Sequence, residues 1–384
     1  MELLKGNFPI EKFKTIETPF YYYDESLLRQ TLEIIKSEST KYGYKVHYAV
    51  KANANADILR IIASYGLGAD CVSGNEVQAA IEAGFPASDI VFAGVGKTDK
   101  EINLALSHGI FCFNAESLPE LEVINELAEK KGVTANIALR INPNVDAHTH
   151  HYITTGLNEN KFGFNLEDVE DVMDVVIKAK NLNLIGVHFH IGSQITDLSS
   201  YEDLCVKIND LQDQLENKGI ILPNVNIGGG LGINYEHPNH FPIADFETYF
   251  RLFNKNLHLR EGQTLHCEPG RSVVAQCGSL VTRVTYVKIG TTKKFAIVDA
   301  GMTDLIRPAL YEAYHRIENI TSDEPGDTYD VVGPICESSD VFQKDVRLNK
   351  VRRGDLLVLR SAGAYGEIMA SRYNLRELPK AIIL

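Results

Sequence analysis

The sequence predicts a (β/α)8 TIM-type barrel followed by an all-β C-terminal domain. Short apolar runs alternate with helical patterns from about residue 20 to 268, eight such runs occur there, and the helical patterns become rare after residue 268. Strands that alternate with helices are typical of parallel βαβ units, and eight units in about 250 residues match a closed barrel. A doubly wound open sheet is the competing interpretation.

The predicted barrel strands are short runs rich in Val, Ile, Leu and Phe. They lie at 46–50, 69–72, 90–93, 110–113, 136–141, 184–190, 224–227 and 264–268. The segments between them carry apolar residues at i, i+3 and i+4, as amphipathic helices do. Several of these segments end in glycine, which tolerates the left-handed conformation at a helix C-terminus.

The last third of the sequence is β-rich. Its predicted strands lie at 279–289, 293–300, 328–335 and 355–363, with turn signals between them. We therefore predict three ranges: an N-terminal segment of residues 1–18 that could add a strand to the β domain, a barrel of residues 19–268, and a β-rich domain of residues 269–384.

Composition excludes several classes of function. The chain has 384 residues and a net charge of −13, which disfavours nucleic acid and anionic membrane surfaces as partners. No apolar stretch reaches the roughly 18 residues that a membrane span needs, and the N-terminus lacks the apolar core of a signal peptide. The six cysteines form no CxxC pair. We therefore expect a cytoplasmic protein with reduced thiols.

Polar residues follow the predicted barrel strands at their carboxyl ends, where barrel active sites lie. They are Lys51, Ser73, Glu76, Arg140, His188, His190, Ser193, the loop Gly228–Gly230, Glu268 and Arg271. Charged residues are rare beside near-continuous apolar strands unless they are paired or functional. Their convergence on one rim predicts a site.

Three of these features together predict pyridoxal phosphate (PLP). The glycine loop lets successive N–H groups point at a phosphate, although such a loop is otherwise a flexible turn. Lys51 could form a Schiff base or only a salt bridge. Glu268 could pair with the pyridine nitrogen of the cofactor and His190 could cover its ring. His148, His150 and His151 could resemble a metal cluster, but carboxylates at ligand spacing are missing, so we expect loop histidines and no metal.

Motifs along nearly the whole chain carry a family resemblance. They include Lys51 in YAVKAN, Asp70 with Ser73 and Glu76, Lys161-Phe-Gly163, His190 in HIGSQ, Gly228–Gly230, Glu268-Pro-Gly-Arg271, Arg307 to Tyr311, Cys336-Glu337 with Asp340, and Gly363-Ala-Tyr365. On these motifs the chain resembles the fold-type III PLP-dependent decarboxylases.

The resemblance implies roles for named residues. Lys51 and Cys336 would be catalytic, Lys51 by holding PLP and Cys336 by donating a proton to Cα. The cofactor would be bound by Lys51, Asp70, His190, Ser193, Gly228, Gly229, Gly230, Glu268, Pro269, Gly270, Arg271 and Tyr365. The substrate would be bound by Arg271, Arg307, Tyr311, Glu337 and Tyr365.

The activity that the resemblance implies is decarboxylation of meso-2,6-diaminopimelate to L-lysine and CO2, the last step of lysine biosynthesis. It also implies a homodimer in which each β domain delivers Cys336 and Glu337 to the partner's barrel. Without the motif, Cys336 would be interpreted as a buried structural thiol. The segment 142–165, with Thr154-Thr155-Gly156, is the candidate lid.

Rival interpretations share the fold or lack the activity. Ornithine and arginine decarboxylases need no clamp for a distal carboxylate and typically have Asp where this chain has Glu337. Carboxynorspermidine decarboxylase is a closer rival, because its substrate also has a separate carboxylate. Alanine racemase would place an arginine at the position of Glu268. A non-catalytic PLP-binding relative would be expected to lack Lys51 or Cys336.

Overall fold

The computed structural model describes residues 5–145 and 161–384. Within them, the chain divides into two compact units. One, the barrel unit, contains described residues of 31–232 and 245–270; the other, the β unit, contains those of 1–30, 233–244 and 271–384. The division into two compact units does not test the three domain ranges drawn from the sequence, which stay a prediction.

The chain begins with helix α1 (Ile10–Phe13) and strand β1 (Phe20–Tyr23), and the barrel strands follow. In the described part of the chain these are β2 (Lys45–Ala49), β3 (Gly68–Cys71), β4 (Ile90–Phe92), β5 (Cys112–Ala115), β6 (Ala135–Asn142), β8 (Leu182–His188), β9 (Asn224–Asn226) and β10 (Thr264–Cys267). Each pairs in parallel with the next, and β10 pairs with β2, so the ring closes. A short strand β7 (Phe164–Asn165) pairs with β6 alone. The predicted TIM-type barrel is confirmed.

Among the described residues, one helix precedes β2 and seven others connect successive barrel strands. They are α2 (Glu25–Thr40), α3 (Ala56–Ser64), α4 (Gly74–Ala83), α5 (Asp99–His108), α6 (Leu118–Lys131), α7 (Val169–Lys178), α8 (Ser199–Asn217) and α9 (Phe246–Asn256). Helix α5 begins with a reciprocal capping box between Thr98 and Glu101 and ends at Gly109, where φ is 61°. Local sequence therefore sets its two ends before tertiary packing acts.

All eight predicted barrel strands occur, with ends within about two residues of the prediction. They were predictable because parallel barrel strands are covered on both sides and so contain near-continuous apolar residues. Strand β3, for example, is buried at all four positions.

The β unit contains a second sheet. Its further strands are β11 (Gly278–Ile289), β12 (Lys294–Val298), β13 (Ile317–Asn319), β14 (Asp327–Val332), β15 (Val341–Leu348), β16 (Leu356–Leu359) and β17 (Lys380–Ile383), and its short helices are α10 (Arg271–Val274) and α11 (Arg307–Tyr311). The order is β13-β16-β11-β12-β14-β15, with β1 placed between β11 and β17. Phe13, Phe20, Tyr22, Val281 and Val358 belong to its buried core. The predicted β-rich C-terminal part is confirmed.

The sequence did not predict β13, β15 and β17. Strand β15 contains Lys344, Asp345 and Arg347 among its apolar residues, and an irregular register with β14 interrupts its alternation. No helix in the described ranges is long and apolar enough to cross a bilayer. All six cysteines lie in the described ranges as free thiols, five of them buried and Cys336 exposed.

Candidate active site

Lys51 lies directly after β2, in the single 3-10 turn Val50–Ala52. Its Nζ is 3.6 Å from Oδ2 of Asp70 on the neighbouring strand β3. Solvent reaches 38% of the Lys51 side chain but 1% of that of Asp70. A buried carboxylate thus orients an amine that stays accessible, as Schiff-base chemistry requires.

Asp70 has unused acceptor capacity. Its Oδ1 is buried and has no hydrogen-bond partner among the described residues. Burial raises the pKa of Asp70 well above its usual value, the negative charge of Glu268 raises it further, and the charge of Lys51 opposes both. Because buried polar atoms are normally paired, this oxygen fits a ligand that brings a donor.

The turn that carries Lys51 packs against residues 269 and 270. The carbonyl oxygen of Pro269 accepts the N–H of Ala49 at 3.2 Å. A Cβ on Gly270 would lie 2.9 Å from Cβ of Ala49, closer than carbon atoms normally approach. Pro269 and Gly270 therefore help to fix the backbone that positions Lys51.

Glu268 lies at the end of β10 and is 5% exposed. Its Oε1 accepts from Nδ2 of Asn114 at 3.2 Å and of Asn226 at 2.6 Å, and its Oε2 lies 3.0 Å from Nε2 of His188. Burial alone would raise the pKa of Glu268, but the hydrogen-bonded contact with His188 at Oε2 outweighs burial, so the pKa falls well below its usual value. Glu268 is therefore an ionised carboxylate in the barrel interior.

The loop Gly228–Gly230 follows β9 and accepts only glycine. A Cβ on Gly228 would lie 2.3 Å from the carbonyl oxygen of Phe189, and a Cβ on Gly229 equally close to that of Glu268. Gly230 has a φ of 111°, which side chains disfavour. The three residues therefore form a stretch of backbone that side chains cannot occupy, as in many anion-binding loops.

His190 lies beyond the end of β8 and is half-buried. Its Nδ1 accepts the N–H of Gly229 at 3.2 Å, which ties the ring to the glycine loop. Burial lowers the pKa of His190 well below its usual value, and the positive charges of Lys51 and Arg140 lower it further. The ring is therefore a neutral flat surface. Ser193 lies three residues further along the same loop and is also half-buried.

Arg140 is held by groups of the barrel unit itself. Its Nη1 lies 3.1 Å from both carboxylate oxygens of Glu116, and its guanidinium lies over the ring of Phe162 at 4.5 Å from the centroid. Both members of this ion pair are buried. We interpret Arg140 as structural support.

In the β unit, two buried arginines share aromatic neighbours. Arg271 donates to the hydroxyl of Tyr235 at 2.7 Å and lies 5.0 Å from the ring centroid of Tyr365. Arg307 lies about 6 Å from the rings of Tyr235, Tyr311 and Tyr365.

The charge of Arg307 is not neutralised by a carboxylate within the described chain. Its Nε donates to Nε2 of His315, and none of its described neighbours forms an ion pair with it. Burial lowers the pKa of Arg307, and the charge of Arg271 lowers it further. Two adjacent buried guanidinium groups have the chemistry that binds carboxylates.

Cys336 and Glu337 lie on an exposed segment between β14 and β15. The N–H of Cys336 donates to Oδ1 of Asn374 at 3.2 Å, and Oε1 of Glu337 accepts from the hydroxyl of Tyr373 at 2.5 Å. Buried Asp340 closes the segment, because its carboxylate accepts the N–H groups of Ile335 and Met302 at 2.7 and 2.6 Å. The thiol and the acid therefore project from an anchored loop.

The donor set fits PLP. Lys51 is an accessible amine for the aldehyde, Glu268 is an ionised partner for a protonated ring nitrogen, His190 is a neutral flat ring, and Oδ1 of Asp70 is a buried acceptor without a partner among the described residues. The roles predicted for individual site residues stay predictions. His148, His150, His151 and Thr154-Thr155-Gly156 of the candidate lid lie outside the described residues.

Known proteins resemble the chain over nearly its whole length. A family model described as "Pyridoxal-dependent decarboxylase, pyridoxal binding domain" matches residues 27–275. A diaminopimelate decarboxylase of Bacteroides thetaiotaomicron is 64% identical over 378 residues, which cover 98% of this chain and 98% of that protein. The chain belongs to the diaminopimelate decarboxylase family. The predicted membership of the PLP-dependent decarboxylases is confirmed.

Further members of the diaminopimelate decarboxylase family agree in sequence and structure. The enzyme of Neisseria meningitidis serogroup B is 45% identical and covers 96% of this chain and 88% of its own. The Helicobacter pylori structure, complexed with L-lysine, has a TM-score of 0.92 at 42% identity and covers 98% of this chain and 93% of its own. A lysine/ornithine decarboxylase of Vibrio vulnificus at 22% identity, with a TM-score of 0.85, shows the shared fold alone.

Sequence reasoning missed residues that support the predicted site. Asn114 on β5 and Asn226 on β9 bind Glu268, and Tyr235 binds Arg271. A polar residue inside each of two apolar strands was the available signal for the asparagines, because buried amides need partners. The sequence analysis placed His188 and Glu268 at the rim but did not predict the contact between them.

Proposed function

We propose that this chain decarboxylates meso-2,6-diaminopimelate to L-lysine and CO2 with PLP, as the last step of lysine biosynthesis. The observation that carries this proposal is the pair of buried guanidinium groups of Arg271 and Arg307, which suits a substrate with a second carboxylate. Two relatives, from Helicobacter pylori and M. jannaschii, have structures in complex with L-lysine, which supports this choice of product.

Lys51 would hold the aldehyde of PLP and Glu268 would pair with its ring nitrogen. His190 would cover the ring, and Ser193, the glycine loop and Tyr365 would surround the phosphate. The accessible amine beside Asp70 and the ionised carboxylate of Glu268 support these assignments. Bound there, the cofactor supplies an acceptor for the electron pair that remains when CO2 leaves.

Cys336 would donate the proton that completes lysine. The Cα–carboxylate bond breaks, its electron pair remains with Cα, and the S–H proton of Cys336 moves to that carbon. Water then restores the proton on the sulfur.

The other end of the substrate requires partners of both signs. Arg307 with Tyr311 and Arg271 would hold the distal carboxylate, and Glu337 would hold the distal ammonium. Charge-assisted hydrogen bonds of this kind contribute about 1.5–3 kcal/mol each. A substrate without the distal carboxylate would leave the buried charge of Arg307 without a counter-charge, which is a strong basis for discrimination.

The substrate is tested by an amine-product assay in which diaminopimelate, ornithine, arginine and carboxynorspermidine are offered separately. We expect kcat/KM to be highest for diaminopimelate. A preference for any other substrate by more than about tenfold, roughly 1.4 kcal/mol in transition-state binding, would overturn the choice of substrate.

We further propose a homodimer in which Cys336 and Glu337 act in the partner's barrel. Cys336 and Glu337 are exposed, and Leu375, next to the residue that binds the Cys336 N–H, is 95% exposed. Such a surface is suited to cover by another chain.

Mixing Lys51→Ala protomers with Cys336→Ala protomers tests the shared site. A mixed dimer would have one site with both native residues, so we expect activity to return toward about a quarter of the wild-type level for random pairing. Mixed dimers that form but stay inactive would contradict the shared site. We also propose a cytoplasmic location, which the six free thiols support.

A further inference from the structure

The carboxylate of Glu268 has more acceptor capacity than the chain fills. An ionised carboxylate offers about four lone-pair sites, two on each oxygen. Two amides, from Asn114 and Asn226, occupy both sites of Oε1, whereas Oε2 has His188 as its single partner among the described residues. One site of Oε2 is therefore left beside the histidine.

The surroundings of His188 favour a neutral ring. Its Nε2 lies 3.0 Å from Oε2 of Glu268, while its Nδ1 is buried and has no hydrogen-bond partner among the described residues. A doubly protonated ring would bury an N–H at Nδ1 with nothing to accept it, whereas a neutral ring leaves a lone pair there. We therefore assign the proton to Nε2.

We propose that His188 is a positioning residue: as a neutral donor it occupies one site of Oε2 and leaves the other for the protonated ring nitrogen of PLP. The inference rests on the proposed function, in which Glu268 pairs with that nitrogen. His188 then acts through Glu268 and needs no contact with substrate.

The donors to Glu268 decide where the proton between the carboxylate and the ring nitrogen resides. Burial raises the pKa of Glu268 and would draw the proton to the carboxyl group, whereas the hydrogen bond from Nε2 of His188 lowers that pKa. His47 and Lys51 act in the same direction as His188, while Asp70 is a nearby acid whose pKa the charge of Glu268 raises. Because the ring accepts electrons best when its nitrogen is protonated, the donors favour the productive arrangement.

The experiment is solid-state NMR of the holoenzyme loaded with PLP that carries 15N in its ring. His188→Leu removes the donor at similar size, and His188→Gln retains an N–H donor. We expect a protonated ring nitrogen in the wild type, an unprotonated one in His188→Leu, and at least partial protonation in His188→Gln. His266→Gln is the matched control, because this buried barrel histidine contacts His47 and Asn224 instead of Glu268; it should keep the wild-type signal.

The outcomes separate this inference from the proposed function. A protonated ring nitrogen in His188→Leu overturns the inference while the proposed function stands. A wild type that binds no PLP, or binds it with an unprotonated ring nitrogen, contradicts the proposed role of Glu268 itself. If His188→Leu does not fold, 15N-histidine spectra of the wild-type holoenzyme decide: a neutral His188 with its proton on Nε2 supports the inference, and a doubly protonated ring overturns it.

Discussion

The candidate acid of the barrel unit, Glu268, is buried, whereas that of the β unit, Glu337, is exposed. In the barrel unit, three side chains donate to buried Glu268. In the β unit, Glu337 is exposed and accepts from the hydroxyl of Tyr373. Fixed buried donors preorganise a charge, whereas an exposed charge interacts weakly until water is removed.

The residues around Glu268 and the segment with Cys336 and Glu337 therefore differ in whether they need a second surface to be complete. The barrel set is largely formed within its own unit, so it suits permanent tasks such as holding a cofactor. The charge of Glu337 can bind a ligand strongly only when another surface excludes water from the segment that contains Cys336 and Glu337. This requirement agrees with the proposed dimer. Substitutions in the two units should therefore have separable effects on cofactor binding and on turnover.

Lys51→Ala should have the largest effect. It removes the amine that we propose binds PLP, so both the absorbance band of the bound cofactor and the lysine-forming activity should disappear. Absorbance spectroscopy of purified protein soaked in PLP, followed by a lysine assay, measures both. Lys45→Ala, an exposed lysine on the strand that precedes Lys51, is the control and should keep the band. A band that persists in Lys51→Ala would show that another residue holds the cofactor.

Cys336→Ala should separate turnover from cofactor binding. Proton transfer by a positioned side chain contributes about 10²–10⁴-fold, so kcat should fall by roughly that factor while the absorbance band stays. Ser338→Ala, an exposed change on the same segment, should keep kcat within about twofold. Near-normal turnover in Cys336→Ala would refute its role as proton donor.

The barrel and the rim residues were predictable for physical reasons that the sequence displays. Barrel strands are covered on both sides, so they appear as separate apolar runs between helical patterns. Lys51 and Glu268 were identifiable as candidate site residues because burying a charge next to such apolar runs costs free energy. The family motifs then connect these residues with Cys336 and Glu337, which no pattern of local sequence could do.

The contacts around Glu268 could not be predicted, because they depend on barrel closure. Asn114, His188 and Asn226 lie on β5, β8 and β9, and they meet one carboxylate only when the strand register is set. A single sequence contains little information about register between distant strands. The strands β13 and β15 were missed because their apolar residues are few or interrupted.

Glu337→Gln should have a smaller effect than either previous substitution. It removes the charge that we propose binds the distal ammonium, so KM for diaminopimelate should rise about 10–100-fold, the loss expected for one charge-assisted hydrogen bond. The cofactor band should not change, since Glu337 lies in the β unit. Steady-state kinetics measure the effect, and Glu377→Gln, another exposed acid of that unit, is the control. An unchanged KM would remove Glu337 from substrate recognition.

Asp304→Asn should have the smallest effect on catalysis, because it should change stability alone. Burial raises the pKa of Asp304 from 3.8 to about 6. The folded state therefore keeps this proton up to about pH 6, whereas the unfolded state releases it near pH 4, so ionisation lowers the free energy of unfolding as pH rises between these values. Asparagine keeps an oxygen that can accept the N–H of Gly301 and does not ionise. Relative to the wild type, the variant should gain stability from pH 4 to pH 6 and plateau above, by roughly 3 kcal/mol at most. Urea unfolding across this range measures the difference, and a difference independent of pH would show that Asp304 is not protonated in the folded protein.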